Sequence, residues 1–221
     1  MIHNEALSLD SVYVIQLHEH ALALIWLGYG RMKADTFTEA EEDDITGELV
    51  KEMKSVIEES DAPDWSEHYS VCEQVRSDAS GKRGKHRPIV DVELERHKRG
   101  KRPRLRFEAK RLGRGSGVSD YVGPEGLGAF LDGYYTRTHR EAGMLGYVQA
   151  KSRRLWAGKL GAVLVAPAHR ILAGGDFKHL RIQGASPFTY QTVHTDHEGL
   201  PLFIVHSLLS FVSAASGAST T

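Results

Sequence analysis

Asp91 and, seventeen positions later, the triplet Glu108-Ala109-Lys110 are the residues of this chain best suited to chemistry. Two carboxylates offer hard oxygen ligands to Mg²⁺, and an ammonium beside them orients or deprotonates an attacking water while offsetting negative charge. All three must share one surface, and strand alternation can supply it. Pro88-Ile89-Val90-Asp91-Val92-Glu93 and Leu105-Arg106-Phe107-Glu108-Ala109-Lys110-Arg111-Leu112 both read as strands. In the first, Val90, Val92 and Leu94 are expected on one face and Asp91, Glu93 and Glu95 on the other. In the second, Leu105, Phe107 and Ala109 take the core side, and Arg106, Glu108 and Lys110 the opposite one. Pairing through the basic turn Lys98-Arg99-Gly100-Lys101-Arg102 brings Asp91, Glu108 and Lys110 together. The same pattern also suits solvent-facing strands with cross-strand ion pairs worth roughly 0.2–1 kcal/mol each. Glu93, on Asp91's face, reads equally as a metal ligand or as an ion-pair partner.

Other elements must hold these strands. Residues 11 to 29 read as a largely buried helix ending at Gly28-Tyr29-Gly30, where glycine can supply a left-handed stop. Thr38-Glu39-Ala40-Glu41 is a capping-box pattern opening a helix that runs to about Glu59, with the stripe Ile45, Leu49, Met53 and Val56 and with Pro63 beyond its end. Glu42 continues that stripe one turn earlier and should face the sheet, whereas Asp43 and Asp44 suit the helix dipole, which would also account for Glu42. Strands are expected over residues 68–76, 88–96 and 103–112, with a loop over 77–85. Residues 124–137 look helical, with Leu127, Phe130, Leu131 and Tyr134 on one side. A buried strand (144–150), a helix (153–165) and short strands (179–183, 189–194 and 202–205) follow. The class is α/β or α+β, with helices flanking a mixed sheet in one domain over residues 1–212 and a frayed tail over 213–221.

The 221 residues, 41% hydrophobic, exclude full-length disorder and suit a single core, and no repeat period is visible. A lone cysteine, Cys72, excludes an internal disulfide framework and a multi-cysteine zinc cluster, so a reducing cytosol is the expected compartment. His18-Glu19-His20 interrupts the N-terminal apolar run, which argues against a signal peptide or a membrane span there. The net charge of −1 conceals an asymmetry. From Ala34 to Glu73 fourteen acids face two lysines, a net −12, and from Gly81 to Arg114 fourteen bases face four acids, a net +10. A basic stripe of that density suits a phosphate backbone, or else a solvated hairpin paired with the acidic helix before it.

Taken together, Pro88, Asp91 and Glu108-Ala109-Lys110 resemble the motif of the PD-(D/E)XK nuclease superfamily, the restriction-endonuclease-like fold, although the proline stands three positions before the aspartate. Glu42 matches the further acid often carried by the preceding helix of that superfamily. Tyr121 to Tyr135, with Glu125-Gly126 and Phe130, and Gly143 to Val148 look like segments of small prokaryotic restriction-like proteins, many associated with defence against phage. The resemblance covers roughly residues 38 to 150. It implies a Mg²⁺-dependent DNA endonuclease, with Mn²⁺ able to substitute. Asp91, Glu108 and the Ala109 carbonyl would hold the metal, Lys110 would position the water, and Glu42 would bind a second metal or orient the lysine. Arg83, Lys85, Lys98, Arg99, Arg102, Arg111 and Arg114 would contact the DNA backbone. A cytoplasmic place in a prokaryotic restriction or anti-phage system is implied, with a homodimer or a regulatory or ATPase partner left open. RNA or branched DNA as substrate stays open, as does a catalytically silent nucleic-acid-binding or interaction subunit of a larger defence complex.

Other residues carry less. His18 and His20, two apart on a helix, diverge by about 200° and cannot chelate together. His194-Thr195-Asp196-His197 falls at a turn, which permits chelation without requiring it. His206 suits packing or a hydrogen bond within the sheet, and Cys72 a small buried hydrophobe. Gly113-Arg114-Gly115-Ser116-Gly117 lacks both the Walker ending and the Rossmann spacing, so it reads as a hinge. Tyr121, Tyr134, Tyr135 and Tyr147 read as core residues, one of them hydrogen-bonding near the site.

Overall fold

Seven strands form one mixed sheet in the computed structural model, which describes residues 9–78, 81–97, 102–113, 115–135, 140–172 and 174–213. They are β1 (Tyr69–Arg76), β2 (Ile89–Arg96), β3 (Arg104–Leu112), β4 (Glu141–Val148), β5 (Lys178–His179), β6 (Thr189–Thr195) and β7 (Pro201–Ser210), in the spatial order β1-β2-β3-β4-β7-β6-β5. The pairs β3–β4 and β4–β7 are parallel and the rest antiparallel. Helices α1 (Leu9–Arg31) and α2 (Glu42–Glu58) cover one face, and α3 (Val118–Val122), α4 (Leu127–Leu131) and α5 (Arg153–Leu164) cover the other. The architecture is α+β, as the sequence pattern predicts. Among the described residues, no helix is long and apolar enough to cross a membrane.

Alternation in β3 and β4 builds both cores. Leu105, Phe107 and Ala109 of β3, with Leu145 and Tyr147 of β4, pack against Ile45, Leu49 and Met53 of α2. Leu112 of β3, with Met144 and Val148 of β4, packs against Tyr121, Phe130 and Leu160. The central strand β4 is therefore buried on both faces, as parallel strands covered by helices are. Gly143 has a specific reason to be glycine: a Cβ there would lie 2.1 Å from the Phe107 ring, which crosses over it.

Several expectations need correction. Helix α1 does not stop at Gly28 but continues to Arg31, and Gly28 instead permits close helix crossing, since a Cβ there would lie 2.7 Å from Met53 Cγ. The capping box does not form. Residues Ala34–Phe37 make a 3₁₀ turn, and α2 starts at Glu42 with Glu41 as an N-cap that makes no side-chain capping bond. The helix expected over 124–137 is a single turn, α4, and the short α3 before Gly123 and Pro124 lies outside that range. Tyr134 is exposed and its neighbour Tyr135 is the buried one. Cys72 is exposed, because edge strand β1 presents its outer face to solvent there.

Candidate active site

The site begins where a ladder stops. The β2–β3 pairing runs from Glu95↔Arg104 to Val92↔Phe107 and ends there. On the other side of β2, the register steps from Glu73↔Val92 to Val75↔Val90, omitting Gln74 and Asp91, and Gln74 has a left-handed φ of 50°. This kink also reverses the facing of the strands. Val71, Val92 and Leu94 pack into the α1/α2 core, while Val75 and Val90 pack into the α3–α5 core. The expectation that Val90 shares a face with Val92 is therefore corrected. A local backbone distortion interrupts the period of two on which it rested.

Beyond Phe107 the ladder would next engage the amides of Ala109 and Arg111. Two carboxylates take the place of the missing strand. The Ala109 N–H donates to Asp91 Oδ2 at 2.7 Å, and the Arg111 N–H donates to Glu42 Oε2 at 3.1 Å. Glu42 comes from the first turn of α2, so an acid far away in sequence closes the end of β3. Thr46, one turn further along α2, is anchored by the buried Tyr147 hydroxyl at 2.9 Å. Gln149 tethers the segment leading into α2, its Nε2 donating to the carbonyls of Phe37 at 2.9 Å and Ala40 at 2.8 Å.

Lys110 sits amid these acids. Its ammonium donates to Glu42 Oε1 at 2.9 Å, Glu108 Oε1 at 2.8 Å and the Ala109 carbonyl at 2.7 Å. The Lys110 side chain is 13% exposed and that of Glu108 only 6%. Glu108 Oε2 is buried without a hydrogen-bond partner. Burial, reinforced by the Asp91 charge, pushes the Glu108 carboxyl up to about 8 despite Lys110. Burial likewise lifts Asp91 to about 6, against the opposing Ala109 amide and Lys110. For Lys110 burial acts downward, but Glu108 and Glu42 outweigh it and hold the ammonium above the usual lysine range. The Tyr135 hydroxyl approaches Glu108, and burial together with the Glu108 and Asp91 charges pushes it well up.

The structure thus brings together Asp91, Glu108, Ala109, Lys110 and Glu42, and it leaves Glu93 apart. Glu93 is buried against Arg106, whose Nε donates to it at 2.7 Å, with Arg104 3.7 Å away. Arg106 also donates to Ser77 Oγ at 3.1 Å and to the Tyr135 carbonyl, so Glu93 belongs to a structural network. Of the basic residues, Arg83 and Lys85 are exposed ahead of β2. Arg102 is exposed but paired with Glu95 at 2.9 Å, and Arg111 is paired with Glu41 at 2.8 Å. Lys98, Arg99 and Arg114 lie outside the described residues. Sequence reasoning missed Gln149, and it named Tyr135 only as one of four tyrosines. The available signal was a lone amide closing an apolar strand.

Three oxygens of the cluster surround an ammonium; above about pH 8 three ionised carboxylates face one lysine, a net −2, and with Glu108 protonated below that the net is −1. That excess, hard oxygen donors and the unpartnered Glu108 Oε2 fit a divalent cation held by Asp91, Glu108 and the Ala109 carbonyl. Among the described residues, no three His, Cys, Asp or Glu side chains are grouped to hold a metal; here Lys110 holds the central place.

The His194-to-His197 cluster gathers no ligand set. Asp196 accepts from Arg140 and from the amides of Glu198 and Leu200. His194 belongs to a buried chain whose direction is fixed at one end. His194 Nδ1 faces the His169 carbonyl at 2.6 Å and must donate to it. Thr192 Oγ1 then donates to His194 Nε2 (2.6 Å) and accepts from His206 Nε2 (2.8 Å), and the Tyr121 hydroxyl donates to His206 Nδ1 (3.0 Å). Burial holds His194 down at about 4 and His206 well below the usual histidine range.

No family model matches this chain, and neither a curated protein nor a solved structure matches it.

Proposed function

We propose that this protein is a divalent-metal-dependent nuclease of the PD-(D/E)XK type that hydrolyses phosphodiester bonds in DNA. One observation carries the reading: Asp91, Glu108, Lys110 and Glu42, from three elements, meet in one buried cluster with an unpartnered carboxylate oxygen. Asp91, Glu108 and the Ala109 carbonyl would hold Mg²⁺ or Mn²⁺, with Glu42 beside them. When bound, the metal supplies Lewis-acid polarisation of the scissile phosphate and stabilises the charge on the leaving 3′ oxygen. Lys110, held protonated, acts as a positive charge that orients the attacking water and steadies the phosphate, and not as the general base. Water attacks phosphorus and gives up a proton to solvent, the bond to the 3′ oxygen breaks, and that oxygen takes up a proton from solvent, so one water is consumed and a 5′-phosphate and a 3′-hydroxyl are left. Arg83 and Lys85, exposed near the site's strands, support contact with the DNA backbone, which carries affinity and no sequence information. A cytoplasmic role in a prokaryotic restriction or anti-phage system, as a dimer or with a regulatory partner, belongs to the same proposal.

The test is incubation of the purified protein with supercoiled, linear and single-stranded DNA and with RNA, in Mg²⁺, Mn²⁺ or EDTA. Cleavage of DNA that needs metal and disappears in Asp91→Ala and Lys110→Ala is expected. Cleavage undiminished in both variants would overturn the site. Metal-dependent cleavage of RNA alone would overturn the substrate. A wild type that binds DNA without cutting it would favour the non-enzymatic subunit.

A further inference from the structure

The Lys110 ammonium has three hydrogens, and all are engaged, on Glu108 Oε1, the Ala109 carbonyl and Glu42 Oε1. Two of these, Glu108 Oε1 and the Ala109 carbonyl, are oxygens that, with Asp91, would ligate the metal of the proposed nuclease, and the third belongs to Glu42 beside it. An ammonium centred 2.7–2.9 Å from them stands where such a cation would enter. Like charges so close repel, and a lysine side chain only 13% exposed has little room to withdraw while it keeps all three bonds. Glu108 Oε2 accepts no hydrogen bond of its own, although the Tyr135 hydroxyl approaches the carboxylate, so acceptor capacity is left while the other oxygen is taken by the lysine.

We infer that Lys110 is a built-in plug of the metal site: divalent cation and lysine ammonium exclude one another, and metal entry expels Lys110 from Glu108 and the Ala109 carbonyl. This rests on the metal-binding reading above and adds the order of events. In the metal-free protein, one positive charge partly neutralises the carboxylates and keeps the cluster closed. The incoming cation brings two charges, cancels the excess, and frees the ammonium. Only then can Lys110 turn towards a water or a phosphate, because before that it has no hydrogen to give. The lysine therefore does two things in sequence, first holding the carboxylates together and then serving the substrate.

The experiment uses the full chain carrying ¹⁵N at its lysine side chains. A buried, triply bonded ammonium exchanges its protons slowly and gives a protected Nζ signal. That signal is assigned as the one absent in Lys110→Met and shifted in Glu108→Gln, so that either variant suffices. Mg²⁺ is titrated in while binding is followed by calorimetry. The expected result is heat that depends on Glu108, together with loss of the protected Nζ signal at the same midpoint. Heat that depends on Glu108 with an unchanged Nζ signal would overturn the plug and leave the metal site standing. No heat with either Mg²⁺ or Mn²⁺ would overturn the metal reading, and the plug with it.

Discussion

Replacing Glu108 by glutamine should stabilise the metal-free protein at alkaline pH and destabilise it at acid pH. Folding raises the Glu108 carboxyl from 4.5 to about 8. The folded state thus binds the proton more tightly than the unfolded chain does, and wild-type stability falls as pH rises from about 4.5 to about 8, then levels. Each unit is worth about 1.4 kcal/mol, so the ionised carboxylate costs at most about 5 kcal/mol at the upper end. Glutamine removes that cost and still accepts from Lys110. It also places an amide N–H₂ where Oε2 now lacks a partner, an unsatisfied group costing about 1–3 kcal/mol. The balance is a gain of at most about 2–4 kcal/mol at the alkaline end, or a Tm at most about 4–16 °C higher for a chain of this size. Near pH 5, where the wild-type carboxyl is already protonated in the fold, only the amide cost survives and the sign reverses. Urea unfolding in EDTA across this pH range measures it. Parallel stability curves for the two proteins would refute the reasoning, because they would mean that Glu108 is not strained by its surroundings.

Three further outcomes follow from the same structure. Glu93→Ala should destabilise by about 3–5 kcal/mol in urea, since it leaves the buried Arg106 guanidinium without its carboxylate; a loss below about 1 kcal/mol would show the pair to be solvent-screened. Imidazole ¹⁵N spectra should show His194 as the Nδ1–H tautomer and His206 as the Nε2–H tautomer, both staying neutral from pH 7 to about 5; titration of either near 6.5 would contradict the buried chain. Gly28→Ala should cost about 1–3 kcal/mol by thermal melting, because its Cβ would overlap Met53 Cγ and crowd the Met53 backbone nitrogen at 3.0 Å, whereas Gly30→Ala, with open space around its Cβ, should be neutral or stabilising.

The sequence made strands β1 to β3 legible because their apolar residues recur at the period of a half-buried strand, and the same reasoning found the Ile45, Leu49, Met53 and Val56 stripe of α2. Placing Glu42 one turn before that stripe needed only helical geometry. What stayed hidden depended on non-periodic contacts. The break at Gln74 and Asp91 has no local signature, since neither residue is a glycine or proline. The side chain of Glu93 was ambiguous because alternation assigns a face but cannot say whether Arg106 or Asp91 will be its neighbour. Gln149 acts on Phe37 and Ala40, more than a hundred positions away, and no spacing rule links them. Cys72 was misjudged because alternation in β1 puts it on the face opposite the buried Tyr69 and Val71, and its own neighbours in sequence do not say that this face is left uncovered.

The parting of β2 from β3 ties backbone satisfaction and the acid–lysine cluster together at the same atoms. Had the ladder continued, the Ala109 amide would have met a backbone carbonyl, and Asp91 would have been free to face solvent. Because it stops, two amides need acceptors, and Asp91 and Glu42 supply them. Charged acceptors bond amides more strongly than carbonyls do, but three acids drawn into one dry place repel each other. Burial first, and then the neighbouring carboxylates, hold the Asp91 and Glu108 carboxyls above their usual range despite Lys110. A cluster meant only to close a strand end would be better served by Asn or Gln, which bond the same amides without the repulsion. Retaining the acids gives the site a standing demand for positive charge, which a lone lysine leaves unmet.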